Sequence, residues 1–194
     1  MTAPPDTPAV LDDAGLLRES LHDPERFAVL YDRHLPAVHR YLAGRLGREG
    51  SEDLAAETFL IAFRRRRDFD PGRGAVRPWL FGIATHLVAQ HRRTEARRLK
   101  LLGRIATEDS VAGHEERVTA QVTAWAARPD LVRAMSALSR GDRDVVFLAA
   151  LGGLGYEEIG QALGIPSGTV GSRLTRARRK LRQALGGIDP LEEN

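Results

Sequence analysis

The sequence predicts an all-helical protein made of two small helical domains joined by a flexible linker. Three observations carry this expectation. Alanine, leucine and arginine dominate the 194 residues, and valine, threonine and tyrosine do not alternate in strand-like runs. Apolar residues recur at helical spacing in two stretches, whereas residues 101–128 between them are mixed in charge, poorly patterned and broken by Gly103 and Gly113. A hydrophobic fraction of 42% is enough for one medium or two small cores.

Taken in order, the proline-rich start (1–10) reads as disordered and 13–21 as a short helix, together an N-terminal extension over 1–22. Asp23 reads as a cap, with Pro24 at the first position of a longer helix. Phe27, Leu30, Tyr31, Leu35, Val38, Tyr41 and Leu42 give that helix its apolar stripe, and Pro36 should bend or break it. Gly47 to Gly50 ends the element and Ser51 is read as capping the next helix, 52–67, with Leu54, Ala55, Phe59, Ile61, Ala62 and Phe63 inward. Asp53 and Glu57 lie one turn apart on its outer side. Glycine, proline and aspartate make 67–74 a loop. Pro78 opens a helix over 79–98, with Leu80, Ala84, Leu87 and His91 on one face and Gly82, Thr85, Ala89 and Arg93 on another.

The first domain is thus placed at 23–100, the linker at 101–128 with some helix around 115–126, the second domain at 129–187, and an acidic tail at 188–194. In the second domain Leu131, Val132, Met135 and Leu138 mark one helix. Ser139 followed by Asp142 resembles a capping-box start for another, over 145–151.

The most specific segment is 154–181. It reads as two short helices around a glycine turn. Gly160 sits where two such helices cross, and Gly164 can take the positive φ of the turn. Ile159, Leu163, Ile165 and Val170 supply the core between them. At about 100° per residue, Val170, Ala177, Leu181 and Leu185 fall within about 60° of Leu174, which defines one buried stripe. Ser172, Arg176 and Arg179 point the other way, flanked by Thr169, Arg173 and Lys180, and no acidic residue lies between 173 and 182. A charge run is ordinarily a solvated face, but this one lies on the helix that the turn would place in a major groove. Ser167, Thr169, Ser172, Arg173 and Arg176 are expected at base edges, and Arg179 and Lys180 at phosphates.

Charge is segregated although the formal net charge is only +3. Stretches 92–104 and 173–182 are basic and the two ends lean acidic, which suggests two separate anionic contacts. The absence of cysteine excludes disulfides and thiolate chemistry. His34/His39 and His86/His91 are each spaced i,i+5, about 140° apart on a helix, and no carboxylate completes a metal site. No nucleophile–base pair stands out. The expectation is a non-enzymatic protein without cofactor, metal or small-molecule substrate. No apolar run is long enough to span a membrane, and the start has no leader-like pattern, so a cytoplasmic location is expected.

Residues 52–59 (EDLAAETF), 79–84 (WLFGIA) followed by a basic helix, and the helix-turn-helix, in that order and spacing, resemble the sigma-70 family. The resemblance covers about 24–187 and lies with the extracytoplasmic function (ECF) sigma factors, which keep only domains two and four. It implies a promoter-specificity subunit of RNA polymerase that assists promoter melting. Its implied partners are core RNA polymerase (the β′ clamp helices and the β subunit), promoter DNA and an anti-sigma factor.

The resemblance assigns Asp53 and Glu57 to the clamp helices, although a solvated carboxylate pair would look the same. It assigns the upstream (minus-35) box to the helix-turn-helix and the start-proximal (minus-ten) box, with its flipped base, to 69–78 and the helix beyond. Arg73, His86, Gln90, Arg93 and Arg97 are the matching residues there. His86 stands where the family commonly has asparagine, and Ala56 where it often has glutamine. Trp79 and Phe81 are read as core. The alternative is a helix-turn-helix regulator that binds duplex DNA without being a polymerase subunit, but 24–100 show no βα alternation for a receiver or ligand domain.

Overall fold

The computed structural model describes residues 12–47, 50–105 and 129–185. Their regular elements are α1 (Asp13–Glu19), α2 (Arg26–Leu46), α3 (Ser51–Arg64), α4 (Val76–Ile105), α5 (Pro129–Ser136), α6 (Arg140–Ala150), α7 (Tyr156–Leu163) and α8 (Ser167–Ala184). Two 3-10 turns, Arg66–Asp68 and Pro71–Arg73, lie in the loop between α3 and α4. The all-helical expectation therefore holds for the described residues.

In the first unit α2 packs on α3 and α4. Leu30, Val38, Tyr41 and Leu42 meet Leu54, Phe59 and Ala62 of α3 and Leu80, Ala84 and Val88 of α4, all buried. Edge-on rings, Phe27 on Phe63 at 5.2 Å and Tyr31 on Phe59 at 4.8 Å, fix the α2–α3 approach. The helix at 13–19 belongs to this unit. Asp12 accepts the Gly15 N–H at 2.7 Å, Leu16 and Leu17 are buried, and the Asp13 carboxylate holds both Arg33 and His34 of α2. Asp13 Oδ2 thus gives His34 Nε2 a hydrogen-bonding partner at 2.6 Å.

Several local expectations need correction. Asp23 accepts the Glu25 N–H at 3.2 Å, but regular helix begins only at Arg26. Pro36 lies inside α2, which continues to Leu46. Gly50, not Ser51, is the N-cap of α3; Ser51 is buried inside the first turn, 3.3 Å from His39 Nε2. Val76 starts α4, so Pro78 falls in its first turn, where a missing N–H costs nothing. The same helix runs to Ile105, into the segment expected to be linker. The rest of that segment, with the helix expected around 115–126, lies outside the described residues, as do the first eleven residues and the acidic tail.

The second unit closes α5, α6 and α7 over α8. Leu131, Met135, Leu138, Val145, Val146, Ile159, Val170, Leu174, Ala177 and Leu181 are its buried residues. Ser139 caps α6 as expected, its Oγ accepting the Asp142 N–H at 3.2 Å. The helix starts at Arg140, five residues before the expected 145, because it begins directly after this cap. The two units also pack on each other, and their apolar residues form one continuous core.

Candidate nucleic-acid interface

The turn between α7 and α8 is built by its glycines. Gly164 has φ 63° and ψ 38°, the left-handed conformation that only glycine adopts without strain. A Cβ on Gly160 would lie 2.8 Å from the Ile165 carbonyl oxygen, so any side chain there would push the two helices apart. Ile165 N–H donates to Gly160 O at 2.9 Å and closes the turn. Pro166 then precedes the first residue of α8, so that Ser167, Thr169 and Ser172 occupy its first turns.

The predicted inward stripe of α8 is fully buried: Val170 0%, Leu174 1%, Ala177 0% and Leu181 0% exposed. Ser167, Ser172, Arg176, Arg179 and Lys180 are exposed, and Thr169 and Arg173 are half-buried. Thr169, Ser172, Arg173, Arg176, Arg179 and Lys180 lie on the side of α8 away from its buried stripe, whereas Ser167, the first residue of the helix, is exposed nearer to that stripe. Two of them have neighbours that the sequence did not reveal. Arg176 Nε lies 3.8 Å from the buried Asp142 carboxylate, and the Arg173 guanidinium lies so close to Gly141 that a Cβ there would come within 2.8 Å of it. Asp142 and Gly141, at the start of α6, therefore set the base of both arginines.

On the first unit, Arg73, His86, Gln90, Arg93 and Arg97 are all exposed, the last four along α4. Phe81 is fully buried. Trp79 is half-buried with its ring 5.2 Å from Phe69, which supports reading it as packing. Asp53 and Glu57 are exposed on the outer face of α3, and Leu60, one turn further on, is 46% exposed. Gly82 and Thr85, read as sharing a face of α4 with Ala89 and Arg93, pack against neighbouring helices. Thr85 is buried, with Oγ1 2.7 Å from Tyr41 Oη and donating to Phe81 O, and Gly82 meets α7.

The seam between the units is polar at its centre. Arg45 of α2 bonds Asp144 of α6 through Nη2 at 2.6 Å and Tyr41 Oη through Nη1 at 2.9 Å, with its guanidinium 4.7 Å from the centre of the Phe147 ring. Arg92 donates from Nη2 to the Arg45 carbonyl at 2.9 Å. Burial pulls the Arg45 guanidinium down, but Tyr41 and Asp144 outweigh it and hold its pKa above the ordinary value. Burial raises the Tyr41 phenol. Burial, followed by repulsion from Arg45 and Arg143, lowers Arg92 to about 10.

At the edge of the seam, Arg77 Nη1 grips both Glu158 oxygens at 2.9 and 3.1 Å, while Nη2 donates to the Gly152 and Gly153 carbonyls at 2.7 and 3.1 Å. None of these pairs was legible in the sequence. Arg45 and Asp144 are 99 positions apart, and Arg77 and Glu158 are 81. The one available hint was glycine inside predicted helices, at 44 and 82, which usually has a packing reason.

The buried stripe, the left-handed turn and the free basic face together define a helix-turn-helix protein with a second helical unit attached. The sigma-70 region 2 model matches residues 30–98, and the sigma-70, region 4 model matches residues 128–181. The ECF RNA polymerase sigma factor SigE of Mycolicibacterium smegmatis is 36% identical over 166 residues, covering 80% of this chain and 60% of that protein. RNA polymerase sigma factor CarQ of Myxococcus xanthus is 31% identical over 172 residues, covering 85% of this chain and 92% of its own length.

Among solved structures, CnrH in complex with the cytosolic domain of CnrY aligns with a TM-score of 0.64 at 26% identity, over 90% of this chain and 97% of that one. The sigma factor RpoE in complex with the anti-sigma factor NepR from Bartonella quintana aligns with a TM-score of 0.58 at 26% identity, over 84% of this chain and 97% of that one. The chain belongs to the sigma-70 family, in its ECF group. Relatives named as sigma factors across both units do not favour a free-standing duplex-binding regulator. Sigma factors are regulatory subunits rather than catalysts.

Proposed function

We propose that this chain directs core RNA polymerase to a specific set of promoters and helps to open them. The observation that carries the reading is the pairing of two units in one chain. One is a helix-turn-helix with a free arginine face; the other is a helical unit whose α4 carries exposed His86, Gln90, Arg93 and Arg97. In this reading Ser167, Thr169, Ser172, Arg173 and Arg176 meet base edges of the upstream box and Arg179 and Lys180 its phosphates. Arg73, His86, Gln90, Arg93 and Arg97 engage the start-proximal box, where a cationic groove helps to offset the few kcal/mol needed to unstack a base.

Asp53 and Glu57 bind the β′ clamp helices, with exposed Leu60 beside them as an apolar contact, and the second unit reaches the β subunit. An anti-sigma factor binds the chain, a reading supported by its likeness to the sigma factor RpoE, solved in complex with the anti-sigma factor NepR. No described helix is long and apolar enough to cross a membrane, and the proposed place of action is the cytoplasm. The test is co-elution with core polymerase on gel filtration. The wild-type chain should move with the enzyme, and Asp53→Lys/Glu57→Lys should stay behind while keeping its helical circular dichroism. Co-elution unaffected by the double charge reversal would remove these two residues from the interface. No co-elution of the wild type would overturn the function.

A further inference from the structure

Two arginines of α8 lean on the first turn of α6, the helix packed along it. We propose that Asp142 and Gly141 in that turn set base choice in the upstream box, Asp142 as a positioning residue for Arg176 and Gly141 as the seat of Arg173. The role rests on the reading of α8 given under Proposed function and extends it to a second helix.

Asp142 carries a charge where the packing favours none. It is 2% exposed and lies on the face of α6 that holds buried Val145 and Val146, at i,i+3 and i,i+4. An acid in the first turn is ordinary where water reaches it, since the helix dipole favours it there. Here Oδ2 is buried and has no hydrogen-bond partner among the described residues. The helix start does not depend on the carboxylate either, because Ser139 Oγ caps through the Asp142 backbone N–H at 3.2 Å. A buried acceptor left open in this way lowers stability, so its use lies elsewhere.

Within ion-pair reach stands Arg176, with Nε 3.8 Å from Asp142 Oδ1. A guanidinium held from its Nε side keeps the Nη1–Nη2 edge for a base, and that edge matches O6 and N7 of guanine. The Arg176 side chain is 47% exposed, anchored at its root and open at its tip. The contact is longer than a hydrogen bond, and the unused Oδ2 is an acceptor onto which Nε can close when a base fixes the guanidinium plane.

Arg173, three residues earlier on α8, is placed by shape rather than by charge. A Cβ on Gly141 would lie 2.8 Å from Arg173 Nη1 and 3.0 Å from its Cζ. The guanidinium therefore rests against the α6 backbone, in space that any other residue would fill. Glycine inside a helix costs stability relative to alanine, and the seat is what it provides in return.

Both features work against stability, which separates a recognition role from a structural one. Asp142→Asn and Gly141→Ala should unfold in urea no earlier than the wild type. The probe for recognition is a promoter at which core polymerase with this chain starts on fragmented genomic DNA, remade as duplexes with each position of the farther element changed in turn. Arg173→Ala and Arg176→Ala identify the positions that the two arginines read. A bidentate contact to guanine is worth about 5- to 150-fold, and Asp142→Asn should remove about fivefold or more of the guanine preference at the Arg176 position in holoenzyme binding. In the Arg176→Ala background the same change should add nothing. Gly141→Ala should lower preference at the Arg173 position alone. The salt slope should stay constant in both variants, since neither residue touches phosphate.

Full base preference in both folded variants overturns the proposal. So does an Asp142→Asn loss that persists without Arg176. An Asp142→Asn chain that no longer folds makes the carboxylate structural and overturns its part, and Gly141→Ala then decides the seat. If Arg173→Ala and Arg176→Ala themselves leave base choice unchanged, the reading of α8 fails and this proposal with it. Arginine variants that change base choice beside unresponsive Asp142→Asn and Gly141→Ala overturn the role of α6 alone.

Discussion

Asp144→Ala removes the carboxylate that sits 2.6 Å from Arg45 Nη2 at the centre of the seam. Arg45 is 3% exposed and would keep the Tyr41 hydroxyl and the rings of Tyr41 and Phe147 as partners, with Arg92 bonded to its own carbonyl. Stripping one member from a buried ion pair costs about 3–5 kcal/mol, because the remaining charge is left without compensation. The Asp144 side chain is 12% exposed, so water can enter part of the space it vacates. The expected loss is therefore at the lower end, about 3 kcal/mol, or more than a hundredfold in the equilibrium constant.

Arg45→Met in the same chain removes the stranded charge and keeps the stem volume. The double variant should then recover most of the loss, since an apolar pair in place of a buried ion pair is often neutral or better. Urea unfolding followed by far-UV circular dichroism gives the four corners of the cycle, with the slope checked for constancy. A loss below about 1 kcal/mol for Asp144→Ala, or a double variant as weak as the single, would show that the seam does not depend on this pair.

Other outcomes follow from the same geometry. Arg92→Met should stabilise the fold: a guanidinium pulled by burial from its ordinary value down to about 10 is disfavoured by roughly 3 kcal/mol at about 1.4 kcal/mol per pH unit. Losing the bond to the Arg45 carbonyl offsets about 1 kcal/mol of that, leaving a net gain on the order of 1–2 kcal/mol in urea unfolding. Tyr41 is an acid whose pKa is raised in the folded chain, so it contributes stability that is present below the unfolded value of 10.0 and is lost as pH climbs above it. Melting curves from pH 9 to 11 should therefore show a smaller alkaline fall for Tyr41→Phe than for the wild type. Arg176→Ala should relax sequence choice in the upstream box by about 1–3 kcal/mol, whereas Lys180→Ala should weaken all sequences alike and lower the salt slope by about 0.9, as read from holoenzyme binding across a salt series.

Much of the recognition unit was legible because each of its features is local. Gly164 must be left-handed to reverse the chain, Ser139 must satisfy the start of α6, and the stripe Val170–Leu174–Ala177–Leu181 repeats at the helical period. Helix boundaries were less legible wherever a polar side chain was wanted elsewhere. Ser51 has the composition of a cap, but it is drawn inward beside His39, and Gly50 takes the cap position. The packing of α4 at Gly82 and Thr85 was not legible because helical spacing shows which residues share a face and not what covers it. Here Thr85 satisfies its hydroxyl inside the core, and Gly82 is small so that α7 can approach. The seam was not readable at all, since Arg45, Arg77, Asp144 and Glu158 find their partners only once both units are folded and packed together.

The account is tested most directly by mapping transcript 5′ ends made by core RNA polymerase on fragmented genomic DNA, with and without this chain. The chain should create a discrete set of new starts that share two upstream sequence elements, and Arg173→Ala/Arg176→Ala should erode preference in the farther element while sparing the nearer one. If the starts are the same with and without the chain, it does not direct the polymerase and the assignment of both surfaces fails.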